Sequence, residues 1–247
     1  MAYRLVVQMV THAGSLRFGA TLLSLMSSPN EAPEEPKVLI ANKPIIAHLF
    51  DPANVATLAG LLSSLLAITF AVKEEFAATG VALVLAFFFD GIDGIIAKRT
   101  PGRTNADRAF GANMDSLVDM AGAGVTLAVV LLAYGGFSAA YVPGALALGA
   151  ATALRLSYFN VYGLAPGTKS YIGLPTDQAI VLVAAVMLLD GPLGRDPFPI
   201  TLYVSAMAIV ALMVSPLRIP KLAGGPYLLF NALAFGVAAA HAWRLFN

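Results

Sequence analysis

Long apolar runs separated by short polar stretches set the pattern of this chain. Runs close to membrane length fall at residues 55–72, 77–98, 109–135, 139–161, 176–191, 198–215 and 224–243. Crossing bilayer hydrocarbon as a helix takes ~20 apolar residues, so each run is a candidate span, the fifth being short. Lys73-Glu74-Glu75 ends the first, and the polar stretch 99–108 (RTPGRTNADR) is a loop between the second and third. Upstream, residues 28–43 (SPNEAPEEPKVLIANK) are rich in proline and acid and read as a surface loop. The start, MAYRLVVQMVTHAG, lacks the compact apolar core and small-residue cleavage site of a secretory signal. Residues 1–27 are therefore expected to form an interfacial amphipathic or short buried helix. The pattern predicts an all-α polytopic membrane bundle over residues 51–247, preceded by an interfacial segment and loop over residues 1–50.

Four acids interrupt this pattern: Asp90 and Asp93 in DGIDGIIAK, then Asp115 and Asp119 in GANMDSLVD. A carboxylate at the centre of a bilayer helix costs roughly 2.5–3.5 kcal/mol, so four approach ~10–14 kcal/mol. Spacings of three and four residues put each pair on one helix face. The two helices are consecutive and antiparallel, so the faces can meet. Carboxylates ~4 Å apart repel by about 4 kcal/mol at an effective dielectric near 20, and cations must bridge them or the acids must separate. An all-oxygen ligand set suits a hard ion such as Mg²⁺, Mn²⁺ or Ca²⁺ rather than zinc. Two ions held by shared acids form a known clamp for phosphoryl chemistry. Gly94, Ala97 and Gly111 lie on or beside the acidic face, where small side chains allow close helix packing or leave room for a flat ligand.

Composition agrees with the membrane reading. The chain has 247 residues, of which 58% are hydrophobic and 12% charged, against about 25% charged in a soluble domain; its mean hydropathy is +0.78. Without cysteine it has neither disulfide nor thiolate chemistry. A net charge of +1 gives no sign of a nucleic-acid partner. Lys37, Lys43, Lys98, Arg99, Arg103, Arg108, Lys169, Arg218 and Lys221 fall on one side if every run crosses, and the positive-inside rule makes that side cytoplasmic. The acids lie near the same side. The same rule accounts for Arg103 and Arg108 as well as phosphate binding does. His12, His48 and His241 show no ligand spacing, Tyr162, Tyr203, Tyr227 and Trp243 resemble an interfacial aromatic belt, and no nucleotide-binding G-x-x-x-x-G-K-[ST] loop exists.

Taken together, D-x-x-D-G-x-x-A-R, a spacer and G-x-x-x-D-x-x-x-D form the signature of the CDP-alcohol phosphotransferases, and this chain resembles that family. All four acids, both glycines and the alanine match; Lys98 replaces the usual arginine, with Arg99 adjacent, and the spacer to Gly111 is longer than usual. PANVAT (residues 52–57) is similar to the family's P-N-x-x-T start of its first helix, with Ala53 inserted. The resemblance covers about residues 50–215, implying a six-helix core with one extra C-terminal span. It implies that Asp90, Asp93, Asp115 and Asp119 hold Mg²⁺ or Mn²⁺, two ions in all, and that Asp119 is the general base. Asn54, Thr57, Asp93, Gly94, Ala97, Lys98 and Gly111 would bind the nucleotide of a CDP-activated donor. Homodimerisation and a lipid substrate or product are further expectations of the family.

Two more segments bear on the acceptor. RLSYFN (residues 155–160) and YIGLPTDQ (residues 171–178) are similar to segments of bacterial phosphatidylserine synthases, making L-serine the leading acceptor and CDP-diacylglycerol the donor. Arg155, Arg99 and Asp177 are candidate ligands of a lipid phosphate or of the acceptor, although Arg155 could instead be a snorkelling anchor. Ser157-Tyr158 and Asp177-Gln178 depart from those enzymes, which tend to have Ala-Arg and Pro-Ala. The loss of a cation and gain of an acid could suit ethanolamine or choline, in an aminoalcohol phosphotransferase acting on diacylglycerol. A divalent-cation transporter is the alternative from another class, but its acids should lie near the midplane in repeated halves, and here only one helix pair carries the motif.

Overall fold

The computed structural model describes residues 43–194 and 197–247. The expected N-terminal interfacial helix and most of its loop lie outside them. Among the described residues are six apolar helical stretches long enough to cross a membrane and one shorter apolar helix, matching the seven runs read from the sequence. The protein is an all-α, multi-pass membrane bundle.

A 3-10 turn, Ile45–Phe50, leads into α1 (Pro52–Val72). Asp51 caps α1 by accepting the Ala53 N–H, and Pro52 occupies the first turn, where its missing N–H costs nothing. Ala53, Ala56, Gly60, Ser63, Ala67 and Ala71 form a buried stripe of small residues along α1. That stripe allows close backbone approach to α2 (Phe76–Arg99). Glu74, in a left-handed conformation (φ 59°), turns the chain between them.

After the α2–α3 loop, Thr104 and Asp107 form a reciprocal capping box at the start of α3 (Asn105–Asp119). The apolar run 109–135 does not continue as a regular α-helix. A π-helical stretch, Met120–Thr126, follows Asp119 directly and leads into α4 (Leu127–Tyr134). The Thr126 hydroxyl donates to the Ala121 carbonyl at 2.8 Å, five residues back. Gly122 faces Ser64 and Ile180 here, its absent Cβ leaving them room. Periodicity alone cannot reveal the extra residue, because glycine and alanine fill most of this stretch and carry little pattern.

The remaining helices are α5 (Val142–Tyr162), α6 (Thr176–Met187) with its short extension α7 (Asp190–Leu193), α8 (Phe198–Met213) and α9 (Gly225–Phe246). Leu83, Phe87, Leu127, Leu131, Leu148 and Met187 are at the centre of the core. The extra C-terminal span, α9, lies against α2 and α6. His241 fixes it there: Nε2 donates to the Ala184 carbonyl at 2.8 Å and the ring covers Gly80, whose Cβ would strike it.

A two-stranded antiparallel ribbon joins the bundle without any mark in the hydrophobic pattern. β1 (Ser170–Ile172) pairs with β2 (Arg218–Pro220), linking the α5–α6 and α8–α9 connections. The Lys221 N–H continues the ladder to the Lys169 carbonyl at 2.8 Å. Gly173 follows β1 with φ 75°, and a Cβ there would collide with the Met213 carbonyl. Only glycine fits, so the Gly-Leu-Pro segment is a tight backbone junction that aims α6 at the site.

Candidate active site

The ends of α2, α3, α5, α6 and α9 that carry these connections enclose a cavity of about 480 Å³. Asp90, Asp115 and Asp119 meet there, with one carboxylate oxygen from each lying within 4.8 Å of the others. Asp90 comes from α2 and the other two from successive turns of α3, as the three- and four-residue spacings require. Among the described residues, no lysine or arginine forms an ion pair with any of the three. Three carboxylates at this separation without a protein cation are a poor structural device and a good ligand set for a hard divalent ion. The residues present therefore fit a metal centre.

Asp93 stands outside this trio. It is buried, and its Oδ2 accepts the Thr57 hydroxyl at 2.5 Å, fastening α2 to α1. Asp93, Gly94 and Asp115 line both the large cavity and a second one of about 190 Å³. The smaller cavity lies among α1, α2 and α3, and Asn54, Thr57, Ala97, Gly111, Arg103 and Arg108 also line it. Asn54 is 2% exposed, donates to the His48 carbonyl at 2.9 Å, and leaves its buried Oδ1 without a partner. A buried acceptor lacking a donor is costly, and an N–H group of a bound ligand would satisfy it. A Cβ on Gly111 would sit 2.7 Å from Arg103 Nη2 and 3.3 Å from Asn54 Oδ1. Glycine thus holds this corner open.

The loop of residues 99–108 is tied down by charge. Arg103 Nε lies 2.8 Å from Asp51 Oδ2, an ion-pair contact off the hydrogen-bonding direction. Lys43 Nζ donates to both oxygens of Asp107, at 2.8 and 3.0 Å. His48 stacks on Phe110 with ring centroids 4.0 Å apart. Arg103 is thereby positioned at the smaller cavity, a role that the positive-inside rule had masked.

The other expected residues separate. Lys98 lines the large cavity rather than the small one, and Arg99 is exposed and lines neither. Arg155 is buried, which rules out a snorkelling anchor. Its Nε donates to the Leu174 carbonyl at 3.2 Å, and its guanidinium lies 5.5 Å and 5.7 Å from the Phe159 and Tyr171 ring centroids. Asp177 lines the cavity from the first turn of α6, where helical N–H groups favour negative charge.

Several residues at the site escaped the sequence reading. Thr176 donates to Asp119 Oδ2 at 3.1 Å, fixing that carboxylate. Lys221 and Tyr171 reach the cavity through the ribbon, and Tyr227 lines it from α9 rather than serving only as an interfacial anchor. Burial pushes the Tyr171 phenol up from its ordinary value, with Asp177 adding to the effect, so it remains a neutral hydroxyl. Thr176 could have been found inside the Gly-Leu-Pro-Thr-Asp segment. Lys221 offered no signal, because pairing across the ribbon is what brings it in.

Comparison with known proteins agrees with this geometry. A CDP-diacylglycerol–serine O-phosphatidyltransferase of Helicobacter pylori is 28% identical over 172 residues, covering 68% of this chain and 71% of that protein. Its counterpart from a second strain is 29% identical over 139 residues, covering 56% and 57%. The archaetidylserine synthase of Methanothermobacter thermautotrophicus is 32% identical over 169 residues, or 66% of each chain. The profile of the CDP-alcohol phosphatidyltransferases matches residues 50–237, a stretch that includes every acid of the trio and both cavities, and this chain belongs to that family.

Proposed function

We propose that this protein transfers a phosphatidyl group from CDP-diacylglycerol to the hydroxyl of L-serine, releasing CMP and forming phosphatidylserine. The observation that carries this reading is the unpaired Asp90–Asp115–Asp119 trio beside two cavities that share Asp93, Gly94 and Asp115. The names of the relatives support serine as the acceptor.

On this reading the cytidine end of the donor occupies the smaller cavity against Gly94, Ala97 and Gly111, with Asn54 Oδ1 taking an N–H of the base. Asp90, Asp93, Asp115 and Asp119 would hold two Mg²⁺ or Mn²⁺ ions, whose charge would offset that of the pyrophosphate and of the leaving group. Lys98, Arg103 and Arg108 add positive charge around the phosphates. Thr176 holds Asp119 with one oxygen, leaving the other to take the proton from the acceptor hydroxyl. The acceptor oxygen bonds to the phosphatidyl phosphorus as the bond to the bridging oxygen of CMP breaks, and CMP leaves as the anion. The basic residues in the connections around the large cavity support a cytoplasm-facing site, by the positive-inside rule.

The test incubates purified protein in detergent with CDP-diacylglycerol, Mg²⁺ or Mn²⁺ and a panel of alcohols, following CMP. Serine-dependent CMP release is expected. Release only when CDP-choline or CDP-ethanolamine is supplied with diacylglycerol would reverse the donor and acceptor roles and overturn the proposal.

A further inference from the structure

The larger cavity carries charges that the transfer chemistry does not use. Asp177 and Lys221 both line it, yet neither forms an ion pair with the other or with any other described residue. The backbone of Lys221 is pinned by its N–H bond to the Lys169 carbonyl and by the adjacent pairing of Pro220 with Ser170. Its ammonium group lies 6.0 Å from the Tyr171 ring centroid. Arg155 is held beside the same ring by Leu174. Arg155 is buried and Asp177 half-buried, while Lys221 is exposed; an uncharged alcohol would leave the two withdrawn charges without an ion-pair partner. A small molecule bearing both charges would satisfy them together.

Resting on the transferase reading above, we propose that the part of this cavity bounded by α6 and the β2–α9 connection selects a zwitterionic amino acid. Asp177 receives the acceptor's ammonium group, and Lys221, backed by Arg155, receives its carboxylate. Asp177 then favours an amino acid over a simple alcohol, because an ammonium group gives its carboxylate a partner. Ethanolamine would satisfy Asp177 but leave Lys221 unpaired.

The experiment uses the full-length protein in lipid nanodiscs with CDP-diacylglycerol and Mn²⁺, measuring CMP release with L-serine, serine methyl ester, 3-hydroxypropionate and ethanolamine. Wild type should prefer serine to each singly charged analogue. Lys221→Met should raise the KM for serine about tenfold or more, the equivalent of ~1.4 kcal/mol, and reduce the disadvantage of the methyl ester. Asp177→Asn should reduce the disadvantage of 3-hydroxypropionate. Both variants should keep the wild-type KM for CDP-diacylglycerol and melting temperature, and Lys221→Arg should retain most of the serine preference. A rise in the KM for CDP-diacylglycerol instead would assign Lys221 to the lipid phosphate and overturn the proposal, as would equal losses with all four acceptors. CMP release by wild type with singly charged acceptors but not with serine removes this site and serine as the acceptor, leaving only the CDP-dependent transfer chemistry. No CMP with any acceptor removes the proposed function itself.

Discussion

Two cavities of similar size lie at opposite ends of the bundle, and their acids have opposite fates. At the far end, about 450 Å³ is enclosed by residues that include Glu74, Tyr134, Asp190 and Arg244. Asp190 is answered there within the chain: Tyr134 donates to Oδ2 at 2.9 Å, and Arg244 forms an ion pair with Oδ1. Asp90, Asp115 and Asp119 gather within 4.8 Å of one another, but no lysine or arginine among the described residues pairs with them. An acid near the end of an apolar helix is therefore not diagnostic by itself. What distinguishes the functional end is negative charge left for something outside the chain to neutralise.

Removing the external cation is the strongest way to break this contrast. Chelation by EDTA should abolish CMP release, and Mn²⁺ or Mg²⁺ should restore it. The ion should also raise the melting temperature of wild type, by about 2.7 kcal/mol of linkage at a hundredfold excess over Kd, but not that of Asp115→Asn. An equal rise in both would detach the trio from metal binding. Next in size, Asp119→Asn should lower turnover by roughly 10²–10⁴-fold, the usual worth of a general base, while calorimetry still detects CMP binding. Parallel loss of both would deny Asp119 that role. Gly111→Ala should crowd Arg103 and Asn54 and raise the KM for the CDP donor about tenfold, within the ~1–3 kcal/mol typical of overpacking, with the serine KM unchanged. The smallest effect belongs to the far end. Asp190→Asn should cost about 1 kcal/mol of stability, read by thermal melting, and leave CMP release intact. If Asp190→Asn silenced turnover, the two ends would not be separable.

The helices and the pairing of acids on each helix face were legible in the sequence because both depend on local spacing. Apolar runs mark spans directly, and intervals of three and four residues place Asp90 with Asp93 and Asp115 with Asp119 whatever surrounds them. The same intervals could not show that Asp93 would accept the Thr57 hydroxyl and stand apart from the other three acids, since that depends on how α1 approaches α2. Arg99 and Lys98 are neighbours in sequence, yet helical rotation turns only one into a cavity. Lys221 and Tyr171 were hidden for a third reason: a three-residue pairing between distant connections leaves almost no pattern in either.

The π-helical stretch Met120–Thr126 has a consequence for how this protein can change. One surplus residue rotates everything downstream by about 100°, the turn per residue of an α-helix. Asp119 therefore faces one direction while Leu127 and Leu131 answer to another, and the two phases are set independently. Deleting a single residue there would straighten the rod and force a choice between a misdirected carboxylate and a spoiled interior. The buried glycines restrict which side chains the segment accepts, and the carboxylate and the core together fix its length.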